Sequence, residues 1–267
     1  MIALVTNDDG IDSSGLRVLA ATAREVGMDL LVAAPRVENS GASASLTILR
    51  EGGRLAVQDT TLDEIDTLRC VAVESTPAFI VWAAVAGAFG PVPDVVLSGV
   101  NHGPNTGQAV LHSGTVGAVL TGANQGLPGV AFSNVAAVPA HLGDGAEVIR
   151  QVLSWLVDDA PAPSADPLAL NVNLPDLPAD KIRGIRPAVL AAFGAVQAHV
   201  GGLGEGFVTM TFAAPETSLV AGTDAALLAQ GWATVTPLAA PWAVDGVDLA
   251  GLVDPRDTVD RPSTGAG

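Results

Sequence analysis

The sequence predicts an α/β fold, in which a mostly parallel sheet is covered by helices on both faces. Short aliphatic runs alternate with longer segments of helical period, as in repeated β-α-β units. The short runs are almost continuously apolar, which is typical of strands buried on both faces. The predicted strands span residues 2–6, 30–34, 69–73, 95–98, 129–133 and 168–171.

The predicted helices lie between these strands. In the first, Leu16, Leu19 and Ala23 recur at steps of three and four residues, and Gly27 is expected to end the helix. Aspartate is a good helix cap, and Asp12 is the nearby candidate for that role. Three further helices are predicted over residues 77–89, 114–125 and 146–157.

The chain changes character after about Lys181. Glycines cluster over residues 201–206, and residues 207–212 alternate in the way of a strand in an antiparallel hairpin. We therefore predict a core over residues 1–182 and a β-rich arm or subdomain over residues 183–255. Residues 256–267 lack an apolar pattern and are expected to form a flexible tail.

Composition excludes several partners. With 12 Lys and Arg against 28 Asp and Glu, the formal charge of −16 should repel long nucleic acids. A small phosphorylated substrate remains compatible, because a bound cation reverses the potential locally. The longest apolar run, residues 78–89, is well short of the ~20 residues that span a bilayer, so no membrane partner is expected.

The N-terminal sequence and the single cysteine both favour a cytoplasmic location. The first apolar run has no basic segment before it and ends in carboxylates instead of a cleavage site. Cys70 has no second cysteine with which to form an intramolecular disulfide, and a cysteine-based metal cage is excluded.

Polar clusters follow three of the predicted strands. Asp8 and Asp9 follow the first, Ser40 and Gly41 lie beyond the second, and Asn101 follows the fourth. In an open parallel sheet, ligands bind beyond the carboxyl ends of the strands, so these loops are expected to converge. Two adjacent carboxylates repel each other unless a cation or a shared proton compensates, and the cation is the simpler choice.

The predicted ligand set contains only oxygen atoms. Two carboxylates, a serine hydroxyl and an asparagine carbonyl suit one divalent ion, Mg²⁺ or Mn²⁺, with Ca²⁺ as a further occupant, whereas zinc favours histidine or thiolate. By itself, Ser40-Gly41 is equally typical of an ordinary turn.

A candidate anion site lies at Ser113, Gly114 and Thr115, where a predicted helix begins. Free amides and the helix dipole attract phosphate at such a position. The alternative is a simple Ser or Thr cap, which that stretch alone favours. No P-loop or dinucleotide-binding fingerprint is present. The four histidines form no spaced ligand pair, although His112, just before this segment, is the best candidate for a role.

In this order, the clusters resemble the SurE family of metal-dependent 5′/3′-nucleotidases and acid phosphatases. The resemblance rests on five motifs and on two later segments near Asn171 and Thr223. The motifs are Thr6-Asn7-Asp8-Asp9-Gly10-Ile11, Ala34-Pro35 with Asn39-Ser40-Gly41, Ser75-Thr76-Pro77-Ala78, Ser98-Gly99-Val100-Asn101 with Gly103 and Asn105, and Ser113-Gly114-Thr115-Val116-Gly117-Ala118.

The resemblance implies a Rossmann-like, doubly wound core, with a C-terminal hairpin arm exchanged within a homodimer or homotetramer. It implies Asp8, Asp9, Ser40 and Asn101 as metal ligands, and we add Gly41 and Asn105 to the predicted phosphate-binding residues. The chain departs from the family pattern at Arg36, at Gln108-Ala109 and near Trp242. These departures affect proton delivery to the leaving group, subunit contacts and substrate choice.

The predicted activity is hydrolysis of phosphate monoesters, nucleoside 5′- or 3′-monophosphates above all, by a metal-activated water that Asp8 or Asp9 orients or deprotonates. One alternative makes Asp8 a covalent nucleophile, although the Asp-x-Asp spacing of aspartyl phosphatases is missing. A second alternative is a module that binds metal and nucleotide but has lost catalysis.

Overall fold

The computed structural model describes residues 1–46, 53–158, 167–192, 197–204, 207–213 and 219–239. Its centre is a nine-stranded, mostly parallel sheet, accompanied by a separate two-stranded hairpin. The strands are β1 (Ile2–Thr6), β2 (Asp29–Pro35), β3 (Val57–Asp59), β4 (Arg69–Val73), β5 (Val95–His102), β6 (Gly129–Asn134), β7 (Ala169–Leu174), β8 (Ile185–Pro187), β9 (Gln197–Gly204), β10 (Phe207–Ala213) and β11 (Ala233–Leu238). The helices are α1 (Ser14–Glu25), α2 (Pro77–Val85), α3 (Gly114–Asn124), α4 (Ala146–Asp158) and α5 (Asp224–Ala229).

The α/β fold class is confirmed, and helices cover both faces of the sheet. Residues of α1 and α4 pack with one face of β1, β5, β6 and β7 in one apolar cluster. Residues of α2 and α3 pack with the opposite face in a second cluster. The continuous apolar runs in the sequence follow from this arrangement, because both faces of each central strand are buried.

The first helix ends where its pattern predicts but begins with a different cap. Ser13 directly precedes α1, and its hydroxyl accepts a hydrogen bond from the amide of Leu16. The expectation that Asp12 caps this helix was therefore wrong, because Asp12 is exposed and lies one residue too early. Gly27 adopts a φ of 88°, which favours glycine and ends the helix.

The boundaries of several other elements differ from the prediction, among them those of β5, which extends to His102. Helix α2 ends at Val85, although the apolar run continues to Phe89. Gly87 and Gly90 have positive φ in this stretch, and Phe89 is buried without being helical. Strand β7 extends to Leu174, since Asn171 and Asn173 are accommodated in a fully buried strand.

The switch point of the sheet, where the chain stops adding strands on one side and continues on the other, lies beside β1. The order is β3-β4-β2-β1-β5-β6-β7-β11-β8, so the chain builds outward from β1 to β4 and then returns to the other side of β1 with β5. The loops that follow β1 and β5 therefore diverge, and they open a crevice at the carboxyl ends of these strands. Ligands bind at such a crevice in open α/β sheets.

The C-terminal part adds two strands to the sheet edge and a hairpin. Strand β11 pairs antiparallel with β7, and β8 pairs parallel with β11. Strands β9 and β10 form the antiparallel hairpin that the alternation predicts. The predicted tail over residues 256–267 and the departure near Trp242 lie outside the described residues. Within the described part, no helix is long and apolar enough to cross a bilayer.

Candidate metal and phosphate site

The loop after β1 holds Asp8 and Asp9 at the switch point. Asn7 braces this loop: its side-chain amide donates to the carbonyl of Gly10 at 2.9 Å, and its side-chain oxygen accepts from the amide of Gly10 at 3.2 Å. Gly10 has a φ of 101°, a conformation that L side chains rarely adopt. The turn therefore presents two consecutive carboxylates in a defined geometry.

The carboxylate of Asp8 is buried against the beginning of α3. Its side chain accepts a hydrogen bond from the hydroxyl of Thr115, and only 3% of Asp8 is exposed. A Cβ atom at Gly114 would lie 2.7 Å from Oδ2 of Asp8, so the carboxylate occupies space that only glycine leaves free. Burial raises the pKa of Asp8, while hydrogen bonds from Thr115 and from the backbone at Asp8, Thr115 and Gly114 oppose that rise.

Asp9 is only half-buried and is therefore more exposed than Asp8. Its Oδ2 accepts a hydrogen bond from the backbone amide of His102 at 3.1 Å. Burial, together with the negative charges of Asp8 and Glu38, raises the pKa of Asp9 to about 6, although the amide and ring of His102 act in the opposite direction. Three carboxylates thus contribute negative potential at this point.

Among the described residues, neither Asp8 nor Asp9 forms an ion pair with lysine or arginine. Arg36 directly follows β2, but its guanidinium pairs with Glu74 at 3.4 Å. Adjacent anions that lack a protein cation leave the site with an excess of negative charge.

The loop after β2 is hydrogen-bonded to the backbone of Asp8 and then packs against α3. The amide of Asn39 donates to the carbonyl of Asp8 at 2.7 Å. Farther on, a Cβ atom at Gly117 of α3 would lie 2.5 Å from the carbonyl oxygen of Ser43. Ser40 lies between these two contacts. It is exposed, and its hydroxyl donates to Glu38 at 2.7 Å.

Asn101 lies near the end of β5, one strand away from Asp8. Its side-chain NH₂ donates to the carbonyl of Gly103 at 2.7 Å, which leaves the side-chain carbonyl oxygen as its acceptor group. The next residue, His102, contacts Asp9, so the ends of β1 and β5 are joined directly. The structure thereby brings the Asp8, Asp9 and Asn101 backbones together.

The predicted phosphate-binding residues lie at three places: at the beginning of α3, on the loop after β2 and on the loop after β5. Ser113 is the N-cap of α3: its hydroxyl accepts from the amide of Val116 at 3.1 Å, as the capping alternative predicts. Gly114 and Thr115 contact Asp8 in the same turn. Gly41 is exposed with a φ of 77°.

Asn105 is buried, and it is engaged with the sheet. Its backbone amide donates to the side chain of Asn173 at 2.9 Å, and its side chain donates to the hydroxyl of Ser133 at 2.8 Å. Its carbonyl accepts from the side chains of Asn171 and Asn173. In this arrangement, the side chain of Asn105 braces the loop after β5.

Sequence reasoning missed two residues at the site and favoured a different histidine. His102 contacts Asp9 through its amide, and its ring lies 3.3 Å from the hydroxyl of Ser14. Glu38 contributes a third negative charge near Asp9. His112 is exposed instead. The available signal for His102 was its position directly after Asn101 at a strand end.

The donor set fits a hard divalent ion. In the described part of the chain, no group of three or more His, Cys, Asp or Glu side chains is arranged to hold a metal, which is the set that zinc sites use. The predicted ligands offer oxygen atoms only: two carboxylates, the side-chain carbonyl of Asn101 and the hydroxyl of Ser40. Such a set, whose carboxylates pair with no lysine or arginine among the described residues, suits Mg²⁺ or Mn²⁺.

Gly114→Ala is expected to weaken divalent metal binding about tenfold while leaving the fold intact. The added methyl group would lie 2.7 to 3.1 Å from three atoms of Asp8, so the carboxylate must move although its backbone is held. Metal titration by calorimetry checks this result. Gly143→Ala is the matched control, because its methyl group would meet nothing within 4 Å. Equal metal affinity in both variants would contradict the placement of Asp8.

Comparisons with known proteins match one family. A family model described as survival protein SurE matches residues 3–196. A 5′-nucleotidase SurE of Methylococcus capsulatus is 38% identical over 241 residues, which cover 89% of this chain and 91% of that protein. Another from Dichelobacter nodosus is 41% identical over 186 residues, 70% of each chain.

A solved structure shares the fold as well. The SurE protein from Aquifex aeolicus superposes with a TM-score of 0.74 at 28% sequence identity, and the match covers 91% of this chain and 95% of that one. The sequence resemblance to the family is thereby confirmed at the level of both sequence and fold. The chain belongs to the SurE family.

Proposed function

We propose that this chain hydrolyses phosphate monoesters, with nucleoside 5′-monophosphates as the first substrates to test, and that the reaction requires a divalent metal ion. The observation that carries this proposal is the pair Asp8 and Asp9 at the switch point, beside the beginning of α3. These neighbouring carboxylates have no lysine or arginine paired to them in the part of the chain that the structure describes. The relatives from Methylococcus capsulatus and Dichelobacter nodosus are named 5′-nucleotidase SurE, which supports a nucleotide as the substrate.

Asp8, Asp9, Asn101 and Ser40 are the residues that would hold the ion. When bound, Mg²⁺ or Mn²⁺ supplies Lewis-acid activation of a water and neutralises charge on the phosphate. The hydroxyl of Ser40 donates its proton to Glu38, which leaves the lone pairs of the Ser40 oxygen available to the ion.

The protein groups have separate tasks in this proposal. Asp9 orients the attacking water and accepts its proton, because it is the more exposed of the two carboxylates. Asp8 accepts a hydrogen bond from the hydroxyl of Thr115 and lies against the first turn of α3, so it is the less accessible of the two carboxylates. Ser113 at the start of this turn and Gly41 on the loop after β2 would bind phosphate oxygens, and the helix dipole favours negative charge at the start of α3.

The test is phosphate release from paired 5′- and 3′-nucleoside monophosphates and from an aryl phosphate, first in EDTA and then with Mg²⁺ or Mn²⁺ added. We expect no turnover in EDTA and turnover restored by metal, with 5′-monophosphates preferred. Turnover that EDTA leaves unchanged would contradict the metal requirement. Metal-dependent nucleotide binding without phosphate release would instead favour a binding module.

A further inference from the structure

Asp224 is a buried carboxylate outside the proposed metal site. It opens α5 and is 0% exposed. In the described part of the chain, it forms no ion pair with lysine or arginine. An isolated buried charge is costly, so its hydrogen-bond partners must compensate.

Three backbone amides donate to this carboxylate. Oδ2 accepts from Gly107 at 2.8 Å, and Oδ1 accepts from Ala191 at 3.0 Å and from the following residue, Ala225, at 2.8 Å. Hydrogen bonds to an ionised acceptor are roughly twice as strong as neutral ones. Asp224 therefore ties together segments that are 33 and 117 residues away.

Capping of α5 does not explain this carboxylate. Thr223 is already the N-cap of the helix, and its hydroxyl accepts from the amide of Ala226 at 3.4 Å. Besides the amide of Ala225 in its own helix, Asp224 accepts from the amides of Gly107 and Ala191, which lie outside that helix. Gly107 begins the 3₁₀ segment Gly107–His112, which connects the loop after β5 to α3.

In the sequence, Gly107 lies midway between the predicted metal-binding and phosphate-binding residues that flank this loop. Asn101 precedes this loop and Ser113 follows it. Asn105 is held to β6 and β7 by Ser133 and Asn173, and Gly107 is held to α5 by Asp224. The path of the chain between Asn101 and Ser113 is thus fixed from two directions.

We propose that Asp224 is a positioning residue, which sets the placement of the phosphate-binding turn relative to the metal ligands and couples both to the C-terminal subdomain. The coupling arises because Ala191, on the same carboxylate, precedes the hairpin β9–β10, and the amide of Asp224 donates to the carbonyl of Val189 at 2.9 Å. This inference rests on the proposed function for its kinetic readout only.

Asp224→Asn is the test variant. Asparagine keeps the shape but offers one acceptor oxygen and turns an NH₂ group toward a backbone amide. We expect kcat/KM for a nucleoside monophosphate to fall about 10- to 100-fold, mostly in kcat, since small displacements of reacting groups have effects of this size. Hydrogen exchange over residues 103–113 should accelerate at least tenfold.

Asp176→Asn is the matched control. Asp176 is another loop carboxylate that accepts from two backbone amides, those of Ala140 and His141, but it braces the segment after β6. We expect its kcat/KM and its exchange over residues 103–113 to stay within twofold of the wild type. Equal kinetics in the two variants, or unchanged exchange in Asp224→Asn, would overturn the proposal.

Hydrogen exchange also separates this inference from the proposed function. If the wild type releases no phosphate, the proposed function fails, while exchange over residues 103–113 still tests the positioning role. If Asp224→Asn does not fold, the wild type decides: the Gly107 amide should exchange as slowly as those of Ala191 and Ala225. Rapid exchange at Gly107 alone would refute a strong hydrogen bond to Asp224.

Discussion

Asp9→Asn is expected to lower metal-dependent kcat/KM by about 10³-fold or more, the scale on which enzymes depend on a group that stabilises the transition state. The amide oxygen of asparagine can still accept from His102, so the loop after β1 keeps its main contact. In the proposed mechanism, this variant loses the negative charge that would hold the ion and the base that would accept the proton of water. Phosphate release at saturating Mg²⁺ or Mn²⁺ measures the effect.

Stability provides a second readout for the same variant. The pKa of Asp9 is raised to about 6 by burial and by Asp8, so its ionised form is disfavoured in the metal-free fold. The protonated form of such a group contributes fully to the free energy of unfolding below the ordinary pKa of the carboxyl. This contribution is lost as pH rises through about 6. In EDTA at pH 7.5, Asp9→Asn should therefore show a Tm equal to or above that of the wild type.

Asp12→Asn is the control for both measurements, because Asp12 is an exposed carboxylate on the same loop. It should keep wild-type activity and metal response. Full activity in Asp9→Asn would remove Asp9 from the site. A lower Tm in EDTA would contradict the inference that the ionised Asp9 side chain destabilises the metal-free fold.

Gly15→Ala is expected to lower the free energy of unfolding by about 3 kcal/mol, at the upper end for overpacking of a dense interior. Gly15 lies in the first turn of α1, and a methyl group there would overlap the carbonyl oxygen of Val100 in β5. That oxygen belongs to the backbone of a central strand, so it cannot rotate away as a side chain does. Urea denaturation measures the change.

The same substitution should also reduce activity, because Val100 directly precedes Asn101. Moving β5 away from α1 displaces Asn101 and the contact of His102 with Asp9. Gly143→Ala serves as the control, since its methyl group meets nothing within 4 Å, and it should stay within about 0.5 kcal/mol of the wild type. Wild-type stability in Gly15→Ala would show that α1 does not pack this closely on β5.

Local chemistry allowed most of the core to be predicted. Strand β4 and the start of α3 follow from apolar runs and from a capping residue within a few positions. The same reasoning placed Asp8 and Asp9 at a strand end. The choice of Asp12 as a cap was wrong because a neighbouring Ser13 has the better position, a difference of one residue that propensity alone does not resolve.

The sequence by itself determined the alternation of strands and helices, the two carboxylates after the first strand and the antiparallel character of the hairpin. These features depend on side-chain period and turn chemistry over a few residues. Only the tertiary structure decided that β11 enters beside β7, that His102 contacts Asp9 and that Asp224 reaches Gly107. Such contacts join residues about 60 to 120 positions apart, and they are selected by packing and by the need to satisfy buried polar groups, which no local pattern encodes.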